Sequence, residues 1–128
     1  MDFVETIGVI RTDYLEEEFG ALNTDQVVLT EERSEHIRSR HPEDYELFKM
    51  YGKACVEQPD IVMKDSKNEN TVFMAKKIEG SNVNAVIRLS VAAVDDPSRK
   101  NSVMIFYRMR DINLNKKAAR NKVLYRHE

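Results

Sequence analysis

Cysteine occurs once, at Cys55, so the chain can form no internal disulfide, which suits a reducing compartment. No uncharged run approaches the ~20 residues that span a bilayer. The opening MDFVETIGV is acidic and lacks the basic-then-apolar design of a secretory leader. These absences predict a cytoplasmic protein with no membrane partner. Glycine is sparse as well, and neither a Gly-rich phosphate loop nor a nucleophile elbow is present. Internal repeats and low-complexity stretches are also lacking.

What is present is an ordinary globular composition with an uneven charge distribution. The 128 residues are 41% apolar and 33% charged, enough for one domain (1–128) with a genuine core. Residues 1–25 carry seven acids against Arg11, a net −6, and form an acidic N-terminal extension. Residues 99–126 carry nine bases against Asp111, a net +8. Such a chain either presents a basic surface to a polyanion or pairs its two faces with each other. A third reading lets the acidic segment cover the basic region and autoinhibit it.

Val4–Ile10 reads as a strand, DYLEEEF as an acidic turn or short helix, and Val27–Leu29 as a short apolar run. Thr30 is an N-cap candidate, with Glu31 and Glu32 placed where a helix dipole favours acids. The helix it opens should end near His41, because a residue before proline is pushed out of helical geometry. Pro42 then starts a second helix, whose Leu47, Phe48, Tyr51, Ala54 and Cys55 recur at helical spacing and form a buried stripe. Gln58-Pro59 ends it. Cys55 reads as core, since nothing marks it as an activated thiol.

After Pro59, four runs rich in Val, Ile, Phe and Tyr (60–64, 71–78, 83–91 and 102–109) are separated by turn-prone DSKNEN, EGSN and DDPSRKN. In the third, Val83, Ala85, Ile87, Leu89 and Val91 alternate with Asn84, Val86, Arg88 and Ser90. The basic tail NLNKKAARNKVLYRHE suggests a helical turn and then a short strand at Val123–Tyr125. The expected architecture is α+β, N-terminal helices followed by a four-stranded antiparallel meander sheet.

The stretch EHIRSRHPEDY, Glu35 to Tyr45, carries the chemistry. Within 31–41 only Ile37 is strongly apolar, so burial alone hardly justifies this helix. Arg33, His36 and Arg40 share one stripe at i, i+3 and i+7; Ile37 and His41 lie on an adjoining one. Docked through Ile37, the helix would present imidazoles and guanidiniums at the sheet's edge. That combination suits metal-free RNA cleavage, in which a base takes the 2′-OH proton, an acid protonates the leaving 5′-oxygen and cations stabilise the phosphorane. Histidine serves either proton-transfer role near neutrality, and arginine supplies the electrostatic stabilisation. The competing reading is a pair of surface or capping histidines. Zinc is disfavoured, because His36 and His41 at i, i+5 do not share a face and no acid or cysteine cluster completes a site. His127, beside the terminus, reads as solvated.

Several elements in this order, VVLTEERSEHIRSRHPEDYELF, EQPDIVMKD, NTVFMAKKI, VNAVIRLSV, KNSVMIFYRM and RNKVLYRHE, resemble the phage-borne nuclease-like family PBECR. That family is grouped by fold with barnase, EndoU, colicin and RelE. The sharpest likeness is H-I-x-x-R-H-P, here His36 to Pro42; Gln58-Pro59-Asp60-Ile61 and Asn101-Ser102-Val103 follow. The likeness spans residues 26–126, which would form a nuclease-like core of the barnase/EndoU/colicin/RelE ribonuclease fold. It implies a metal-independent, cofactor-free endoribonuclease of phage or mobile-element toxin type, with RNA as substrate and an immunity or antitoxin protein as a candidate partner. On this resemblance His36 and His41 are the acid/base candidates, and Ser102 a phosphate-binding position. Strand alternation adds Arg88 for phosphorane stabilisation, with Lys76 and Arg108 beside Arg33 and Arg40 for substrate binding. The alternative is a non-catalytic RNA- or protein-binding module of the same fold.

Overall fold

The computed structural model describes residues 4–127; Asp2 of the acidic segment and both ends of the 1–128 domain lie outside the described residues. The chain runs β1 (Val4–Val9), α1 (Asp13–Phe19), β2 (Gln26–Thr30), α2 (Glu31–Arg40), α3 (Pro42–Glu57), β3 (Ile61–Lys64), β4 (Thr71–Ile78), β5 (Ser81–Arg88), β6 (Asn101–Met109), α4 (Asp111–Arg120) and β7 (Val123–Arg126). All seven strands join one sheet in the order β1-β2-β6-β5-β4-β3-β7.

This corrects the expected architecture. The class is α+β, but the sheet is seven-stranded and mixed, not a four-stranded antiparallel meander, and α4 comes after the main strands. The four anticipated strands are its antiparallel centre, β3 to β6. β1 and β2 extend it on one side, with β2 running parallel to β6, and β7 extends it on the other.

The physical reason lies in β5, whose first seven residues are all buried, as suits a central strand covered on both faces. Val83, Ala85, Ile87, Leu89 and Val91 enter one core with Ile37 of α2 and Phe48, Cys55 and Val56 of α3. Val86, on the reverse face, joins Ile61, Met63, Phe73 and Ala75 beneath Leu114 and Ala118 of α4. β5 stops at Arg88, short of the expected Val91. There the Ser90 N–H turns to the Asn101 side chain (2.8 Å), and Val91 bridges Leu22 instead of continuing along β4.

The α2–α3 junction forms for the local reasons read from the sequence. Thr30 Oγ1 accepts the Arg33 amide at 3.3 Å, closing the first turn of α2. His41, at φ −144° and ψ 83°, breaks the helix before Pro42 restarts it. Ile37 is the buried anchor of α2, at 3% exposure. Burial pushes the Cys55 thiol up to about 12, and its Sγ donates to the Met74 carbonyl at 3.0 Å, a core role. No helix among the described residues is long and apolar enough to cross a membrane.

Candidate active site at the open edge of β6

β2 pairs with β6 only through Val27↔Asn101 and Val28↔Ser102. Asn101 holds that joint, its amide donating to the carbonyls of Thr24 (3.0 Å) and Gln26 (2.9 Å). From Val103 onward the flank of β6 away from β5 has no strand partner among the described residues, and the α2–α3 junction packs against this part of the sheet. Between helix junction and strand lies a cleft of about 410 Å³, floored by Ile37, Ile105 and Phe106.

His36, Arg40 and His41 line the cleft from the helix side and Arg108 from the strand. Arg108 Nε donates to Ser81 Oγ at 2.6 Å, which fixes the arginine on β6. His41 caps the break between the helices, and its Nδ1 lies 3.7 Å from Glu43 Oε1. Both histidines are exposed, so each ring is open to a ligand.

The lining residues without a counterpart among the sequence candidates include one carboxylic acid. Asp44, on the first turn of α3, is buried at 8% exposure within the same cleft. Burial raises its carboxyl above the usual carboxylate range; the charge of His41 and the Arg108 backbone N–H pull against that rise without cancelling it. An acid in the first turn of a helix is already explained by the helix dipole, so the sequence gives Asp44 no mark of its own. Its i, i+3 spacing from His41 is the signal that would have found it.

The remaining sequence candidates lie elsewhere. Arg33 sits one turn before His36 and does not line the cleft. Ser102 stands at the β2–β6 joint, six residues from Arg108 along β6, or about 20 Å at strand rise. Arg88 pairs with Ser102 in register and turns its guanidinium to Asp95, two contacts of 3.2 Å. Asp95 also accepts the Val91 amide (2.8 Å) and meets Arg99 (3.3 Å), and these donors hold its carboxyl below the usual range. Lys76 opens on a second cleft, lined by Arg11, Tyr14, Tyr125 and His127, where its Nζ donates to the Gln58 carbonyl at 2.9 Å. In that cleft Arg11 is bound to Asp13 at 2.7 Å, so its two longest cations are held by the protein itself.

The described residues of the acidic segment contribute β1 and α1 and do not line the β6 cleft. Among the described residues no three His, Cys, Asp or Glu side chains are grouped to hold a metal ion. Compared with family models, curated proteins and solved structures, the chain matches none.

Proposed function

We propose that the cleft at the β6 edge is the active site of a metal-independent endoribonuclease of toxin type, cleaving RNA by transesterification to a 2′,3′-cyclic phosphate. The carrying observation is that His36, His41 and Asp44 share one cleft with Arg40 and Arg108. Support also comes from the His36–Pro42 stretch, which carries the resemblance to the phage-borne nuclease-like family.

The chemistry distributes as follows. Arg40 and Arg108 receive the phosphate and stabilise the charge that builds on the phosphorane. A neutral imidazole takes the 2′-OH proton while a protonated group gives one to the departing 5′-oxygen. Asp44, with its carboxyl pushed upward by burial beside His41, supplies a second group of tunable protonation in the cleft. The apolar floor excludes water from one side of the ester. RNA is the substrate because DNA lacks the attacking hydroxyl. The activity belongs in the cytoplasm, where RNA is abundant and a lone buried thiol stays reduced, and an immunity protein would act by covering this cleft.

The test is purified protein with mixed RNA in EDTA, beside matched DNA. Cleavage of RNA alone is expected, falling about 100-fold or more in His36→Ala and His41→Ala. Intact RNA across several substrates, or unaltered cutting by both variants, overturns the proposal. A second reading, a non-catalytic binding module for RNA or protein, is favoured by one feature. Among the described residues, neither imidazole ring in the cleft makes a hydrogen bond that would fix its tautomer. RNA binding that survives loss of both histidines, falls with salt and brings no cleavage distinguishes it.

A further inference from the structure

The reverse face of the sheet carries a third concavity, of about 290 Å³, between α4 and the loop joining β3 to β4. Lys67, Lys116, Lys117 and Arg120 line it, and among the described residues none of them has a carboxylate within 4 Å. Its one acid, Asp65, is already engaged: Oδ1 accepts the Lys67 amide (2.8 Å) and Oδ2 the Asn68 side chain (2.9 Å). The wall is cross-linked, since the Ser66 amide donates to Asn121 Oδ1 (3.1 Å) and Asn121 donates to the Lys117 carbonyl (2.9 Å). Lys117 Nζ stands 3.9 Å from the centroid of the Phe73 ring. Partial burial there lowers the Lys117 pKa, a penalty on its charge that a bound anion would offset.

The position of this basin decides what anion it suits. β6 passes directly from one site to the other: Arg108 lines the cleft, Met109 lines the basin, and exposed Arg110 follows at the start of α4. A strand leaving the cleft around the end of β6 meets Arg110 and then the α4 cations. We infer that the α4 basin is a second phosphate-binding site, which holds the same single-stranded RNA several nucleotides away from the bond in the cleft. The inference rests on the ribonuclease reading for the identity of the strand. A lipid surface fits less well, because the cations surround a concavity and Ile112 is the exposed large apolar residue of the helix.

The experiment measures binding of a 2′-O-methyl RNA 12-mer, which lacks the attacking hydroxyl, and of a 2′-O-methyl dinucleotide. The variant K116A/K117A/R120A should bind the 12-mer at least tenfold more weakly, with the slope of log K against log salt reduced by about two. It should still bind the dinucleotide like the wild type and keep its thermal midpoint. A control, K49A/K53A, removes two cations from α3 and should leave 12-mer binding within about twofold. Unchanged 12-mer binding in the triple variant, or equal losses in triple variant and control, overturns the inference. Tighter wild-type binding to phosphatidylserine vesicles or polyglutamate than to the 12-mer overturns RNA as the occupant. Failure to cleave any RNA, with the α4-dependent binding intact, removes only the catalytic reading of the cleft.

Discussion

A carboxylate in the first turn of a helix ordinarily gains from the nearby amide dipoles while remaining in water. Asp44 has the position without the water, and burial outweighs the dipole and the neighbouring charge, so its carboxyl binds a proton more readily in the folded state than in the unfolded one. The sign of the linkage follows. Below the unfolded value, near ~3.9, the group is protonated in both states and costs nothing. As pH rises through the higher folded value, the native state must carry a buried charge and loses stability relative to the unfolded chain. Asp44→Asn should therefore melt above the wild type at pH 7, the gap closing by about pH 3, while RNA cleavage falls roughly 100-fold. A melting difference independent of pH would reject burial as the cause. Arg88 illustrates why such sites are only partly legible in a sequence. Strand alternation assigns Arg88 to a face, but its partner Asp95 comes from the loop beyond β5, and no local pattern announces that clamp. Ser102 and Lys76 are likewise placed on strands by pattern, yet which end of the sheet each occupies depends on pairings the pattern does not contain.

At the scale of elements, α2 is held unusually lightly. One buried side chain, Ile37, anchors ten residues, and the Thr30 cap satisfies one of the amides at its start. Thr30→Ala should cost about 1 kcal/mol in denaturant unfolding. It should also speed amide exchange in α2 more than in α3, whose Phe48, Cys55 and Val56 are buried. Exchange that rises equally in both helices would show the cap to be dispensable to α2. Where elements follow short-range rules, the sequence suffices: the helix break at His41-Pro42 and the strands β3 to β6 come from proline geometry and residue periodicity. β2 needs a parallel partner 74 residues away, Val27↔Asn101, and nothing in five residues of strand specifies it. α4 reads as a mere turn because Leu114 and Ala118 are the apolar side chains it packs against the reverse-face cluster, a short stripe set among Asn, Lys and Arg.

For the whole molecule, the charge asymmetry divides between the two simple readings. Glu18 of α1 takes Lys64 at 2.9 Å and Lys122 at 2.6 Å, so part of the acidic segment does pair with bases of the sheet's far side. Lys67, Lys116, Lys117 and Arg120 are left outside that pairing among the described residues. The segment is also structural. β1 pairs with β2, Ile10 and Leu15 lie in the main core, and Tyr14 stacks on Tyr125 of β7 with centroids 5.1 Å apart. Burying each of those two aliphatic side chains contributes roughly 1.5–3 kcal/mol, a large share of the about 5–15 kcal/mol that holds a domain together. Removing residues 1–25 should therefore lower the thermal midpoint sharply or leave the protein aggregated, and should not raise RNA cleavage by uncovering a site. Glu18→Gln, which releases Lys64 and Lys122 without removing core, separates charge from packing: it should strengthen RNA 12-mer binding slightly, with little change in stability, because surface ion pairs contribute at most about 1 kcal/mol. A truncated protein that melts with the full chain and cuts RNA faster would show instead that the segment is a detachable cover.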